Sequence, residues 1–436
     1  MASFAPPAPP QVIGPHPVRI ADFRFYWTAR LASTIASMSM VIVIGWQVYD
    51  LARSSGMSVR DAAFQLGLIG VAQFVPLFAL TLVTGWIADR VDRRFIARGS
   101  IALEVFCASL LAWLTWTGSV SLPALFAVAA LLGVARAFAA PALSALAPNL
   151  VPRASLPRAI ALSTISWQVG SIFGPALGGY LYAWAPHMPY SVSAGLFALS
   201  LLCMFMIGPK PRTAIEGNKN PWKQMVDGLH YVRRNRLVLG AISLDLFAVL
   251  LGGATAMLPV FARDVLHAGP EGLGHLRAAP AVGATLVGLW FSFAPLRRNV
   301  GVKMLAAVAL FGAATVVFGF SRWMPLSLAC LGILGAADML SVYVRQSLIQ
   351  LYTPDEMRGR VGAVSTLFIS ASNELGEAES GFLAAAIGPV AAVVGGGVGA
   401  ILVTLLWAKW FPELRLARSF DPPDLTADKQ AKEQSP

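Results

Sequence analysis

Nine ionisable side chains lie inside long apolar runs of this sequence: Arg30, Glu104, Arg136, Asp245, Asp338, Arg345, Glu374, Glu377 and Glu379. An ionised group in apolar surroundings is costly, so each invites a functional reading beside a structural one. Asp245 stands about nine residues into its run, roughly 13 Å deep at helical rise. A partly desolvated carboxyl there can exchange a proton near neutral pH, or it can be tied to a neighbouring helix as a structural pair. Glu374 and Glu377 are three residues apart and share a helix face. Two carboxylates in one low-dielectric site resist simultaneous ionisation, which suits proton coupling or the binding of a cation. Gln47, Gln73, Trp167, Gln168, Phe247 and Tyr343 are the polar and aromatic residues on cavity-facing runs. They can bind a substrate or simply pack, and Gln47, Gln168, Phe247 and Tyr343 are the cavity candidates retained.

The elements that hold these residues follow from composition. The chain has 436 residues, 56% hydrophobic and 13% charged, with mean hydropathy +0.66. A soluble domain carries about 25% charged residues, so the bilayer must be the solvent. Spans of roughly 20 residues divide the apolar length into about twelve helices, at about 27–49, 64–84, 95–117, 122–147, 159–183, 190–208, 237–262, 273–295, 302–320, 325–351, 361–386 and 390–411. The fold class expected is therefore an all-α membrane protein with twelve transmembrane helices in two six-helix halves. The expected organisation is a cytoplasmic tail and amphipathic lead-in (1–26), a first bundle (27–208), a linker with an interfacial helix (209–236), a second bundle (237–411) and a cytoplasmic tail (412–436). In the linker, Trp222, Met225, Val226, Leu229 and Val232 recur at helical spacing beside Lys223, Arg233, Arg234 and Arg236, as suits a helix lying on an anionic leaflet or a solvated charge run.

The net charge of +11 is spread over alternate loops rather than one patch, which argues against a nucleic-acid partner. Those loops and both tails hold most of the Lys and Arg, so both termini are expected to be cytoplasmic in a multi-pass protein of the cytoplasmic (inner) membrane. Residues 1–17 are Pro-rich and do not read as a cleavable signal. Cys107, Cys203 and Cys330 lie in apolar runs without motif spacing, so no disulfide framework, metal or cofactor is implied. No nucleophile–base set and no G-x-x-x-x-G-K-[ST] sequence appears, so neither an enzyme nor ATP drive is expected.

The two halves resemble each other. Pro152 and the segment Arg158 to Ser163 recur as Pro354 and Arg360 to Ser365, at a constant offset of 202. The same offset takes Gly133 to Gly335, Gly174 to Gly376 and Gly179 to Gly381. A parallel repeat places a substrate site between the halves. It also takes Arg136 to Asp338, opposite charges at equivalent positions. Two arrangements follow: a gate ion pair Arg136–Asp338, made when the cytoplasmic side closes, or pairing of each within its own half, for instance Arg136 with Glu104.

Two motifs carry a resemblance. Gly85-Trp86-Ile87-Ala88-Asp89-Arg90-Val91-Asp92-Arg93-Arg94 lies between two apolar runs and resembles the signature loop of the major facilitator superfamily, G-x-x-x-D-R-x-G-R-R. Asp92 stands where the family has glycine. In this reading Gly85 allows close packing, Asp89 faces the N-terminus of span eleven near Val361, and Arg90, Arg93 and Arg94 hold the loop cytoplasmic. Gly170-Ser171-Ile172-Phe173-Gly174-Pro175-Ala176-Leu177-Gly178-Gly179 fits close helix packing with a proline bend. It resembles the antiporter motif of major facilitator exporters. Asp245-Leu246-Phe247, Gly252-Gly253-Ala254-Thr255 and Ser372 to Gly381 resemble bacterial permeases related to enterobactin exporters. The resemblance implies a monomeric secondary transporter that exports a small organic molecule, siderophore-like or drug-like, against inward proton flow. The alternatives are an uptake carrier or facilitator of the same fold, or a non-transporting membrane sensor.

Overall fold

The computed structural model describes residues 15–208, 221–294, 296 and 298–420. Pro209, Pro211 and Gly217 of the expected linker, Arg297, and the chain ends lie outside them. The described chain is helical. The first half runs α1(Ala21–Ser54), α2(Val59–Arg90), α3(Arg93–Trp116), α4(Leu122–Leu150), α5(Leu156–Trp184) and α6(Met188–Met206). A linker helix α7(Pro221–Arg234) precedes α8(Arg236–Leu251), the one-turn α9(Leu258–Val260), α10(Gly269–Phe293), α11(Val300–Phe320), α12(Met324–Tyr352), α13(Asp355–Ile387), α14(Pro389–Trp410) and the short α15(Pro412–Leu416).

Local chemistry sets the boundaries. Proline sits in the first turn of α4, α5, α6, α10, α12 and α14, where its missing N–H costs nothing. Ser58, Asp92 and Asn235 cap α2, α3 and α8, each side chain accepting from a first-turn amide. Among the described residues, eleven helices, counting Arg236–Val265 as one, are long and apolar enough to cross a bilayer. The twelfth span is α13, long enough to cross but interrupted by Glu374, Glu377 and Glu379. Large apolar side chains such as Trp116, Trp184 and Phe293 stand outward at 71%, 76% and 87% exposure, as a hydrocarbon solvent permits.

Three expectations need correction. The lead-in is no separate interfacial element, because α1 begins at Ala21 with Phe23 and Tyr26 fully buried. The Tyr26 hydroxyl donates to the Leu143 carbonyl at 3.1 Å, so these aromatics are bundle core. The seventh span is not one continuous helix. It stops at Leu251, turns through Gly252 and Gly253, makes a 3₁₀ turn over Ala254–Met257, and ends in a π turn over Phe261–Val265. Two adjacent glycines followed by Pro259 cannot sustain the α ladder. The eleventh span starts at Asp355 rather than 361.

Within the first half α1 packs on α5 and α6, and α2 on α4; in the second, α10 packs on α12, α11 on α14, and α13 on α8. The halves meet along α5 against α10 and α2 against α13. Glycine makes these crossings possible. A Cβ on Gly170 or Gly174 would lie 2.4 Å from Thr34 or 2.6 Å from Met38 of α1. One on Gly179 would lie 2.4 Å from the Pro270 carbonyl of α10, and one on Gly381 2.4 Å from Gly67 of α2. The repeat is thus visible in contacts: Gly133 meets α2 and Gly335 meets α10, while Gly174 meets α1 and Gly376 meets α8.

Helix α7 lies on the start of α13. Asp227 accepts from Arg360 at 3.1 Å, Tyr231 donates to the Tyr352 carbonyl at 2.9 Å, and Val232 is buried with Val361 and Val364. Val226 and Leu229 of the same helix are left exposed.

Candidate functional site

Where α2, α4, α10 and α13 converge, two arginines face two glutamates. Arg136 of α4 donates to Gln73 Oε1 at 3.1 Å and pairs with Glu374 at 3.4 Å. This contact crosses from the first half to the second. Arg277 of α10 pairs with Glu377 at 3.4 Å and donates to the Thr255 carbonyl in the broken span. A cavity of ≈ 50 Å³ opens beside them, lined by Val41, Ile42, Gly45, Gln73, Thr255, Pro259, Arg277, Glu377 and neighbouring apolar residues. Glu374 and Glu377 do share a face, but each has its own arginine. Their mutual repulsion is offset, so the expected like-charge site is instead a balanced four-charge cluster.

On the far side of the bundle, opposite the side where α1 begins and α14 ends, α1 is latched to the broken span. The Tyr49 hydroxyl donates to Asp264 Oδ2 at 2.5 Å, and Arg53 pairs with Asp264 at 3.3 Å. Arg263 pairs with Asp50 at 2.8 Å and donates to its carbonyl at 3.0 Å. Two oppositely ordered ion pairs and a tyrosine therefore close this side. On the terminal side, α4 and α12 do not pack together comparably. Arg53 and Arg263 are not among the nine ionisable residues that the apolar runs single out. The available signal was an Asp-x-x-Arg on the first span and an Arg-Asp on the seventh, which are equivalent spans of the two halves.

Asp245 has a buried ion pair with Arg345 of α12; their exposures are 5% and 2%. The structural alternative for Asp245 is what the geometry displays. Arg136 and Asp338 are not brought together. Arg136 is taken by Glu374, and Asp338 lies inside the second half, lining a small cavity with Asp245 and Ser341. Glu104 is buried at 2% exposure, near the Ser33 hydroxyl and the Arg136 charge, and its Oε2 has no hydrogen-bond partner.

The cavity candidates scatter. Gln47 is buried in the first half, its amide donating to Thr115 and accepting from Tyr190. Gln168 bridges α5 to α10 through the Ala281 carbonyl and Thr285. Phe247 packs on Trp407, and Tyr343 sits between Phe291 and Phe420. None of these four lines the cavity between the halves; Gln73 does. Single-residue chemistry marks a side chain as able to bind, but the helix face decides whether it does.

In the signature loop, Arg93 opens α3, and Asp92 caps that helix while pairing with Arg94 at 2.7 Å. An aspartate therefore replaces the flexibility of glycine with a cap and an ion pair. The side chains of Gly85, Asp89 and Arg90 lie outside the described residues. In the antiporter-like stretch, Gly170, Gly174 and Gly178 seat α1, Gly179 seats α10, and Pro175 is buried between them.

Comparison with known proteins agrees with the twelve-helix fold. Residues 14–431 match the family described as "Transmembrane secretion effector". The enterobactin exporter of Shigella boydii serotype 18 is 27% identical over 418 residues, covering 93% of this chain and 95% of the relative. That of Escherichia coli O1:K1 is 27% identical over 420 residues, with the same coverage. Among solved structures, a D-xylose–proton symporter aligns with TM-score 0.69 at 14% identity, covering 90% of this chain and 98% of the other. A bacterial homologue of the lysosomal transporter Spinster, in an inward-facing and occupied conformation, aligns with TM-score 0.69 at 15% identity, covering 92% and 99%. The twelve-helix fold is theirs, and the chain belongs to the transmembrane secretion effector family of major facilitator transporters.

Proposed function

We propose that this transporter is a proton-coupled exporter of a small organic molecule in the cytoplasmic membrane, working as a monomer by alternating access with both termini in the cytoplasm. The observation that carries the reading is the four-charge cluster between the halves, Arg136–Glu374 and Arg277–Glu377, beside a cavity closed from the far side by the Tyr49–Asp50–Arg53 latch. A site of two guanidiniums and two carboxylates has no net charge to hold. A polar substrate gains by exchanging with these pairs rather than by meeting a preformed opposite charge. Because Arg136 and Glu374 belong to different halves, a substrate that inserts between them changes the contact across the pivot, which couples occupancy to conformation. Relatives named as enterobactin exporters and the Gly170–Gly179 stretch support export, and the Lys and Arg distribution supports the orientation. The substrate class proposed is siderophore-like or drug-like.

The test uses proteoliposomes loaded with enterobactin, or with ethidium as a cationic drug probe, under an imposed pH gradient. Antiport drives the substrate toward the acidic compartment, and Arg136→Ala weakens that flux. Movement of either probe with the proton flow, or flux indifferent to the gradient, refutes proton-coupled export.

A further inference from the structure

The balanced cluster between the halves raises the question of where a coupling proton would sit. Each of its glutamates has its own arginine, so neither is a surplus charge. Two buried carboxylates stand outside the ion pairs: Glu104 in the first half, which has the Ser33 hydroxyl and the Arg136 charge near it, and Asp338 in the second, which has neither a hydroxyl nor a free guanidinium engaged with it. Inside the second half, α8, α11 and α12 enclose a small cavity lined by Asp245, Val249, Phe311, Asp338, Ser341 and neighbouring apolar residues. Asp245 is paired with Arg345. Asp338 is engaged by no charged or hydrogen-bonding group among the described residues, and the Ser341 hydroxyl, 3% exposed, is unpartnered. The Arg345 Nε also lacks a partner. Asp338, Ser341 and Arg345 fall on one face of α12, at spacings of three and four residues. The Arg345 guanidinium is turned to Asp245, and Asp338 shares the cavity wall with that aspartate.

We propose that Asp338, set beside the Asp245–Arg345 ion pair and the unpartnered Ser341 hydroxyl, is the carboxylate that binds and releases the coupling proton. The assignment rests on the proton-coupled reading above. Two carboxylates and one guanidinium in apolar surroundings leave one negative charge uncompensated, which a proton removes. The groups facing the site are few. From α8 it meets Asp245; from α11 it meets only apolar Val308 and Phe311. Helix α10 approaches through Pro280 and Gly283 at Gly335 and Gly332, and its charged Arg277 is engaged with Glu377 while His275 is engaged with Tyr180. On α13, Glu374 is likewise engaged, with Arg136.

The position gives the proton mechanical purchase. Val249, on the cavity wall, is three residues before the Gly252–Gly253 break in the seventh span, and the far piece of that span carries Arg263 and Asp264 of the latch. Adding or removing charge at Asp338 changes how α8 is held against α12, and the next hinge along α8 leads to the far-side closure. One proton binds with the far side open and leaves with the terminal side open.

The test is the pH dependence of far-side opening in the full chain reconstituted in nanodiscs, with spin labels at Ser119→Cys and Arg322→Cys and the proton as the only ligand. The wild type is expected to shift its distance distribution across the neutral range. Asp338→Asn flattens that response, Asp338→Glu restores it, and Asp245→Asn, which leaves a balanced pair, flattens it too. If wild type responds to pH and Asp338→Asn responds with the same midpoint, this assignment is overturned while proton coupling stands. If wild type itself shows no response, and no flux follows the gradient, the proton-coupled reading and this assignment both fall. Should Asp338→Asn not fold, Asp338→Glu and Asp245→Asn decide alone, and wild-type behaviour of both, midpoint included, overturns the proposal.

Discussion

Asp264 is the most exposed point of the alternating-access argument, because one carboxylate serves two contacts that exist only while the far side is closed. Asp264→Asn keeps the shape and removes the charge. A hydrogen bond to a charged group is worth about 1.5–3 kcal/mol against about 0.5–1.5 for a neutral one, so the Tyr49 contact weakens by about 1 kcal/mol. The Arg53–Asp264 pair is a quarter exposed on both sides, at 27% and 24%, and pairs of that kind contribute about 0.2–1 kcal/mol. Both contacts join α1 of the first half to the π turn of the second, so their whole loss falls on the closed state. The sum, about 1–2 kcal/mol, is a factor of about 5–30 in a two-state ratio. Spin labels at Ser119→Cys and Arg322→Cys read that ratio as a distance distribution. Both native positions are exposed, and the three native cysteines are buried. The variant should gain a longer-distance population by that factor, and Arg263→Ala, acting on the neighbouring pair with Asp50, should move the same way. An Asp264→Asn distribution identical to wild type would falsify the latch.

Gly179→Ala and Gly381→Ala should each lower the thermal midpoint of the purified protein, since the new methyl would stand 2.4 Å from backbone of α10 or α2 and overpacking costs about 1–3 kcal/mol. Gly362→Ala and Gly395→Ala, with open space around the new methyl, should be neutral or stabilising. Asp92→Ala should cost about 1 kcal/mol through the lost α3 cap, read as the same midpoint, and a cost near zero would mean the cap is unimportant. The Glu413 carboxyl is held below the usual carboxylate range by its own backbone amide, with Arg236 adding to it. Its contribution is therefore full above the ordinary glutamate value of about 4.3 and lost as pH falls through the lowered one. Amide exchange in α15 should rise in that acid window, and Glu413→Gln should remove the pH step.

Much of the fold is legible because the bilayer simplifies it. Long apolar runs can only be helices, and Gly133, Gly174 and Gly179 announce both close packing and a repeat. What escaped is partner choice. Arg136 was matched to Asp338 or Glu104 by the repeat and by its own half, yet its structural partner is Glu374, on a helix the offset does not connect to it. Asp50, Arg53, Arg263 and Asp264 fall just beyond the expected spans 27–49 and 237–262, so none is among the nine ionisable residues that the apolar runs single out. The break at Gly252–Gly253 was visible as composition, but apolar residues on both sides carried the span through it.

The contacts suggest a physical reason for this division. Where the offset of 202 holds, at Gly133 and Gly335, Gly174 and Gly376, Gly179 and Gly381, equivalent positions make equivalent close backbone contacts. Gly179 meets α10 and Gly381 meets α2, so the two crossings that join the halves are copies of one another. Such dry, tight contacts tolerate rocking about the crossing but not separation, which makes them pivots. The charges inside the spans fall where the offset fails: Glu374, Glu377, Asp245 and Arg277 stand opposite Ile172, Pro175, Val43 and Val75. A symmetric pair of halves would favour neither face of the membrane. Bias between the two openings, and its response to a proton or a substrate, has to come from positions at which the halves differ. The ion pairs Arg136–Glu374 and Arg277–Glu377 and the surplus charge at Asp338 are such positions, set on a scaffold whose glycines keep the two halves alike.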